Sequence, residues 1–119
     1  MKKEYRVKKN EEIKEILEEK KYFSNRYFTV YKKTNLKTTH FRYAISVGKK
    51  LGHAVTRNRI KRQVRAMCDA LIDYNHYSLD IVIIIKNGFL ENDFQENKRI
   101  LQNLVSKVIT GVKSDEKKN

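Results

Sequence analysis

The run Asp80-Ile81-Val82-Ile83-Ile84-Ile85 limits the possible folds more than any other stretch of this chain. Five consecutive β-branched residues with no polar alternation read as a strand covered on both faces. Such a strand needs partners on either side and apolar layers above and below. At 119 residues the chain is long enough to bury about two-thirds of its unfolded surface, so it needs neither a disulfide nor a metal to hold a core. Residues 1–113 are expected to form a single domain, with 114–119 a disordered charged tail.

Patterning around that strand supplies the partners. Residues 2–9 are basic and aperiodic and read as an extended arm. Asn10 suits a helix N-cap, and Glu11 and Glu12 suit the positive end of a helix dipole. This predicts a helix over about Glu11 to Lys20, with Ile13, Ile16 and Leu17 on one stripe. Tyr22 to Lys33 changes to a period of two, with Tyr27, Thr29 and Tyr31 on one face of a strand and Phe28 and Val30 on the other. The Tyr/Thr/Tyr face fits either an ordinary wet sheet surface or a stacking platform for unpaired bases. Lys33 to His40 reads as a loop. Phe41 to Val47 alternates again and predicts a second strand. Gly48 and Gly52 bracket Lys49-Lys50-Leu51, where glycine permits a positive φ or a close approach. A helix is expected from His53 or Ala54 to about Tyr74, with Ile60, Val64, Met67, Cys68 and Leu71 inward. Asn75 to Ser78 reads as a turn. After the apolar strand, Asp93 caps a last helix over about Phe94 to Ile109, whose inward stripe includes Leu101, Leu104 and Val108; Gly111 fits its C′ position. The order α, strands, α, β, α predicts an α+β fold: a mixed sheet of about four strands and three helices, the helices covering mainly one face.

Charge then narrows the function. The formal net charge is +13. Residues 20–68 hold fourteen Lys and Arg and no Asp or Glu, whereas the flanking segments are nearly balanced. The densest part is GKKLGHAVTRNRIKRQVR, Gly48 to Arg65. Its cations crowd the first half of the predicted helix, with Asp69 and Asp73 in the second half, opposite to what the helix dipole prefers. That segregation serves a polyanion whose phosphates release counterions on binding. An anionic membrane fits less well, because the apolar stripe of this helix is needed for the core. The missing carboxylates extend beyond the helix, so the basic surface is expected to continue onto the sheet.

Few residues suit protein-only catalysis. His40, His53 and His76 are scattered and lack adjacent carboxylates, and Cys68 lies on the apolar stripe. No G-x-x-x-x-G-K-[ST] motif is present, which excludes a P-loop. One cysteine excludes an intramolecular disulfide and, with the scattered histidines, does not make a structural zinc site. A divalent ion in the basic block would be held by nucleic acid, with an amide such as Asn58 or Asn25 nearby. No apolar run reaches the ~20 residues of a membrane span. The N-terminal MKKEYRVKKNEE has no apolar core, so it is not read as a secretory signal. A cytoplasmic protein is expected.

R-N-R-I-K-R-Q-V-R, Arg57 to Arg65, preceded by K-K-L-G-H-A-V, closely resembles the signature of the bacterial ribonuclease P protein subunit family. Y-R-V-K-K-N-E-E-I, S-N-R-Y-F-T-V-Y, F-R-Y-A-I-S-V and I-V-I-I-I resemble the segments around it, so the likeness covers nearly the whole chain. It implies a ribosomal protein S5 domain 2-like fold with a left-handed βαβ crossover through the basic helix. It implies further that the chemistry belongs to an RNA that uses Mg²⁺ to remove the 5′ leader of precursor tRNA. The protein, with no catalytic or metal-binding residues of its own, would bind that RNA one to one. Lys49, Lys50, Arg57, Asn58, Arg59, Lys61, Arg62 and Arg65 would face the RNA subunit. Ile13, Leu17, Thr29 and Tyr31 would line a cleft for the leader. The chain departs from the family pattern at several positions. Ile13 and Leu17 stand where aromatics are frequent, Glu19-Lys20-Lys21 where a glycine is usual, Gly48 where serine is usual and His53 where asparagine is common. A structural or ribosomal RNA-binding protein without a processing role, and a self-sufficient nuclease, are the alternatives.

Overall fold

The computed structural model describes residues 5–35, 38–73, 75 and 78–110. In chain order the elements are α1 (Asn10–Glu18), β1 (Tyr22–Ser24), β2 (Phe28–Thr34), β3 (Arg42–Val47), α2 (Ala54–Leu71), β4 (Leu79–Ile85) and α3 (Phe94–Thr110). The sheet order is β1-β2-β4-β3. The β-branched run is thus an interior strand. It pairs antiparallel with β2, from Phe28 opposite Ile85 to Thr34 opposite Leu79. It pairs parallel with β3, from Arg42 opposite Asp80 to Val47 opposite Ile85. Parallel neighbours require a crossover, and α2 is that crossover.

Both faces of β4 are covered, as its composition demands. Ile81, Ile83 and Ile85 face α2 and α3, joined by Phe28 and Val30 from β2, Tyr43 and Val47 from β3, and Ile60, Val64, Met67 and Leu101 from the helices. Val82 and Ile84 face the other way and meet Ile16 of α1 with Ile13, Leu17 and Tyr31. Two helices therefore lie on one face and a single short helix on the other. The N-terminal arm closes the β3 edge: Arg6 bridges parallel to Tyr43, and the Val7 N–H donates to the Tyr43 carbonyl at 2.9 Å. Tyr5 and Val7 are buried there. Their alternation with Arg6 and Lys8 carried this signal in a stretch expected to be an aperiodic arm.

Several local expectations change. Residues 22–33 are two strands, not one. The Asn25 side-chain oxygen accepts from the N–H groups of Tyr27 and Phe28 at 2.8 and 2.9 Å, folding the chain into a tight turn. Tyr27 consequently leaves the Thr29/Tyr31 face and packs against the main core on the α3 side. Asn10 lies within α1 and Lys9 takes the cap position, with no side-chain hydrogen bond. α2 stops at Leu71, because Ile72 turns extended and buries its side chain. The Asp93 cap is present: its carboxylate accepts from the Glu96 N–H at 2.9 Å. Gly111 and the 114–119 tail lie outside the described residues.

The two glycines around Lys49–Leu51 differ. Gly52 has φ 140°, and a Cβ there would come within 2.9 Å of the Thr56 side chain. Gly48 has open space around it. Lys20, following α1, adopts φ 57°, the left-handed conformation that glycine takes freely and other residues take at a cost of about 1 kcal/mol. Lys20→Gly is expected to stabilise the fold by about 0.5–1 kcal/mol in urea denaturation. An unchanged or lower midpoint would show that Lys20 compensates its backbone cost elsewhere.

Candidate nucleic-acid interface

α2 forms because its apolar residues recur at helical spacing. Ile60, Val64, Met67 and Cys68 are all at most 2% exposed. Burial also pushes the Cys68 thiol pKa up, which makes it an inert core residue. That anchoring fixes where the cations point. Arg57, Lys61 and Arg65 repeat every four residues along the flank of the helix and are half-buried, while Asn58, Arg59 and Arg62 are exposed. Lys49 and Lys50 stand exposed on the short 3₁₀ turn before it. The first turn of α2 holds no acidic residue, and His53 caps it without a side-chain hydrogen bond. Among the described residues, none of Lys49, Lys50, Arg57, Arg59, Lys61, Arg62 and Arg65 forms an ion pair. Like charges at i, i+4 oppose the helix by roughly 0.2–0.5 kcal/mol per pair. The surface is therefore under electrostatic strain that an RNA backbone would relieve. Arg57 differs slightly from its neighbours, since its Nε donates to the Gly52 carbonyl at 3.1 Å and braces the turn into the helix.

The basic surface extends around the β3 edge. A notch of about 130 Å³ lies between Arg6 on the arm and Lys61 and Arg65 on α2, with Tyr43 and Ile45 on its walls. Sequence reading gave Arg6 no role, because only the arm's pairing with β3 brings it there.

The basic block does not continue uniformly onto the sheet, contrary to expectation. Lys32 is buried; its Nζ lies 3.4 Å from the Val108 carbonyl and above the Phe23 ring. Arg42 also turns inward and finds carboxylates from outside the block. Its Nε and Nη2 donate to the two Asp80 oxygens at 3.0 and 2.7 Å, and its Nη1 and Nη2 reach both Glu12 oxygens at 3.4 Å. The hydrogen bond to Asp80 leads the effects that raise the Arg42 pKa, against the burial that would lower it. Asn35 donates to Asp80 at 2.8 Å as well. A strand-pairing position two registers from Val82 thus becomes a polar clasp joining α1, β3 and β4.

The clasp sits at one end of the space between α1 and the sheet. Ile13, Leu17 and Tyr31 meet there over Val82 and Ile84. Thr29 shares the face, lying opposite Ile84 in the β2–β4 register. Its hydroxyl is 2.8 Å from the Ser24 hydroxyl. All four cleft residues expected from sequence are thus brought to one face. Tyr22 joins them: β1 places it opposite Tyr31, with ring centroids 4.9 Å apart. Asn25, considered as an amide near a metal, is instead committed to its turn. Among the described residues, no group of three or more His, Cys, Asp or Glu is arranged to hold a metal. No described helix is long and apolar enough to cross a membrane.

A family model described as Ribonuclease P matches residues 1–109. The chain belongs to the ribonuclease P protein family. The ribonuclease P protein component of Mesoplasma florum is 47% identical over 100 residues, covering 83% of this chain and 90% of the relative. That of Enterococcus faecalis is 40% identical over 106 residues, covering 89% and 90%. The solved RNase P protein of Staphylococcus aureus superposes with a TM-score of 0.78 at 33% identity, over 87% of this chain and 94% of that one. The RNase P protein of Thermotoga maritima gives 0.71 at 30%, over 83% and 93%. The mixed four-stranded sheet with three helices is thus the family's fold, carried here on a sequence two-thirds different from that of either structure.

The packing of α1 over the sheet depends on its polar as well as its apolar contacts, and the Arg42 clasp ties Glu12 of α1 to Asp80 of β4. Arg42→Ala leaves Asp80 buried without its cation. The expected loss of stability is about 3 kcal/mol, read from urea unfolding. A loss under about 0.5 kcal/mol would mean that solvent replaces the clasp without penalty.

Proposed function

We propose that this chain is the protein subunit of a ribonucleoprotein ribonuclease P. It binds the catalytic RNA through the α2 surface and the 5′ leader of precursor tRNA through the cleft between α1 and the sheet. It thereby promotes Mg²⁺-dependent removal of the leader. The RNA subunit performs the cleavage and holds the magnesium; the protein supplies affinity and position. The observation that carries this reading is the row of uncompensated cations on a helix whose other side is locked into the core, in a chain of this family.

The physical roles follow from the two surfaces. Lys49, Lys50, Arg59 and Arg62 project freely and suit phosphates, whose neutralisation releases counterions. Arg57, Lys61 and Arg65, held closer to the sheet, add direction to that contact. Asn58 offers an amide that donates and accepts, suited to a base edge or a 2′-hydroxyl. In the cleft, Ile13 and Leu17 offer aliphatic contact while Thr29 and Tyr31 offer a hydroxyl and a ring. One protein per RNA places both surfaces in a single complex, so substrate affinity rises only when a leader is present.

Cleavage of precursor tRNA by a bacterial ribonuclease P RNA at low Mg²⁺, with and without this protein, tests the proposal. Stimulation by the protein is expected, and no cleavage by protein alone. Absence of stimulation would refute the subunit role, and cleavage without RNA would point to a nuclease. In the same system Arg59→Ala is expected to weaken association with the RNA. Each lost phosphate contact lowers the log–log salt slope by about 0.7–0.9. An unchanged slope would remove Arg59 from the phosphate contacts.

A further inference from the structure

Tyr22 is 51% exposed, one of three exposed large apolar side chains among the described residues, with Val55 and Leu90. It sits on β1, the edge strand, in register with Tyr31. The two rings lie 4.9 Å apart at 41° to one another. Tyr31 is half-buried against the satellite core beneath α1, so it braces one side of the Tyr22 ring. The other side is open. Beside them, Ser24 and Thr29 are joined hydroxyl to hydroxyl across the same two strands. The result is a short row of ring, ring and hydroxyls running out of the cleft along the sheet edge.

Charge identifies the occupant. Lys86 lies at the far end of this row, its Nζ donating to the Asn25 carbonyl at 2.7 Å and to the Ser24 hydroxyl at 3.3 Å. Lys20 and Lys21 immediately precede Tyr22 in the chain; Lys21 Nζ lies 4.0 Å from the Glu19 carboxylate, an exposed pair that holds it only weakly. An exposed aromatic ring between cations suits a single-stranded nucleic acid, in which bases stack on rings and phosphates pass over lysines. A protein partner would more often bring an apolar patch wider than one ring pair. The helix side of the cleft offers only the aliphatic Ile13 and Leu17, which present no π face. Stacking on this face of the protein must therefore come from the sheet.

We propose that Tyr22 is a further RNA-binding residue: its open face stacks on an unpaired base of the leader where the leader leaves the cleft past Tyr31, with Lys86 near the adjoining phosphate. The proposal rests on the leader-cleft reading given above and extends that cleft across β1.

The test uses the holoenzyme reconstituted with a bacterial ribonuclease P RNA, and precursor tRNA with a leader of several nucleotides beside the same tRNA without one. Tyr22→Ala is expected to reduce affinity for the leader-bearing substrate by about fivefold or more, leaving the leaderless tRNA unchanged. Tyr22→Phe keeps the ring and is expected to stay within about twofold of wild type. Tyr22→Leu covers Tyr31 without offering a π face, and is expected to behave as the alanine variant. Wild-type affinity in Tyr22→Leu would overturn stacking and leave Tyr22 as a buttress. If Tyr31→Ala loses leader preference while Tyr22→Ala keeps it, this proposal fails and the cleft reading stands. If neither variant alters leader preference, both fail.

Discussion

Two-sided burial of β4 governs this structure. Five β-branched side chains in a row cannot be left half wet, so the chain must build a layer on each face. It does so unequally: α2 and α3 cover one face with most of the core, while α1 alone covers the other with a smaller cluster. That inequality has a functional outcome. The heavily covered face fixes α2 firmly enough to display repelling cations outward. The lightly covered face leaves a short helix over part of a sheet, with polar and aromatic side chains at its margin.

The two surfaces are connected through charge as well as through the sheet. A block of forty-nine residues without a carboxylate (residues 20–68) cannot satisfy an inward-turning cation by itself. Arg42 draws Asp80 from the start of β4 and Glu12 from α1 to do so. The acids at the margins of the basic block thus stabilise the fold where cations turn inward, and leave the α2 surface unneutralised. Paired and unpaired cations of the same sequence block serve opposite ends: one set holds the fold together, the other is held apart by it.

Much of this was legible in the residues. The β4 run, the inward stripe of α2 and the Asp93 cap each follow from a local rule, and the family resemblance rests on a compact motif inside α2. What escaped depended on pairing between distant segments. Tyr22 and Tyr31 become neighbours only because the Asn25 turn breaks one expected strand into two. Arg6 approaches Lys61 and Arg65 only because the arm adds to the β3 edge. Arg42 looked like one more surface cation, and its burial is decided by the register that sets it opposite Asp80. Lys20 shows a related limit in the backbone: its side chain does not announce a φ of 57°, and the signal lay only in the glycine that the resembling family usually places after this helix.

The central claim is that one sheet separates two RNA-binding surfaces with different partners. Site-specific photo-crosslinking in the assembled holoenzyme with precursor tRNA tests it most directly, with the probe placed in turn at Arg62 on α2 and at Thr29 on β2. The account expects the Arg62 probe to capture the RNA subunit and the Thr29 probe to capture the substrate leader. Capture of the same RNA from both positions, or of the leader from α2 and the RNA subunit from β2, would contradict it.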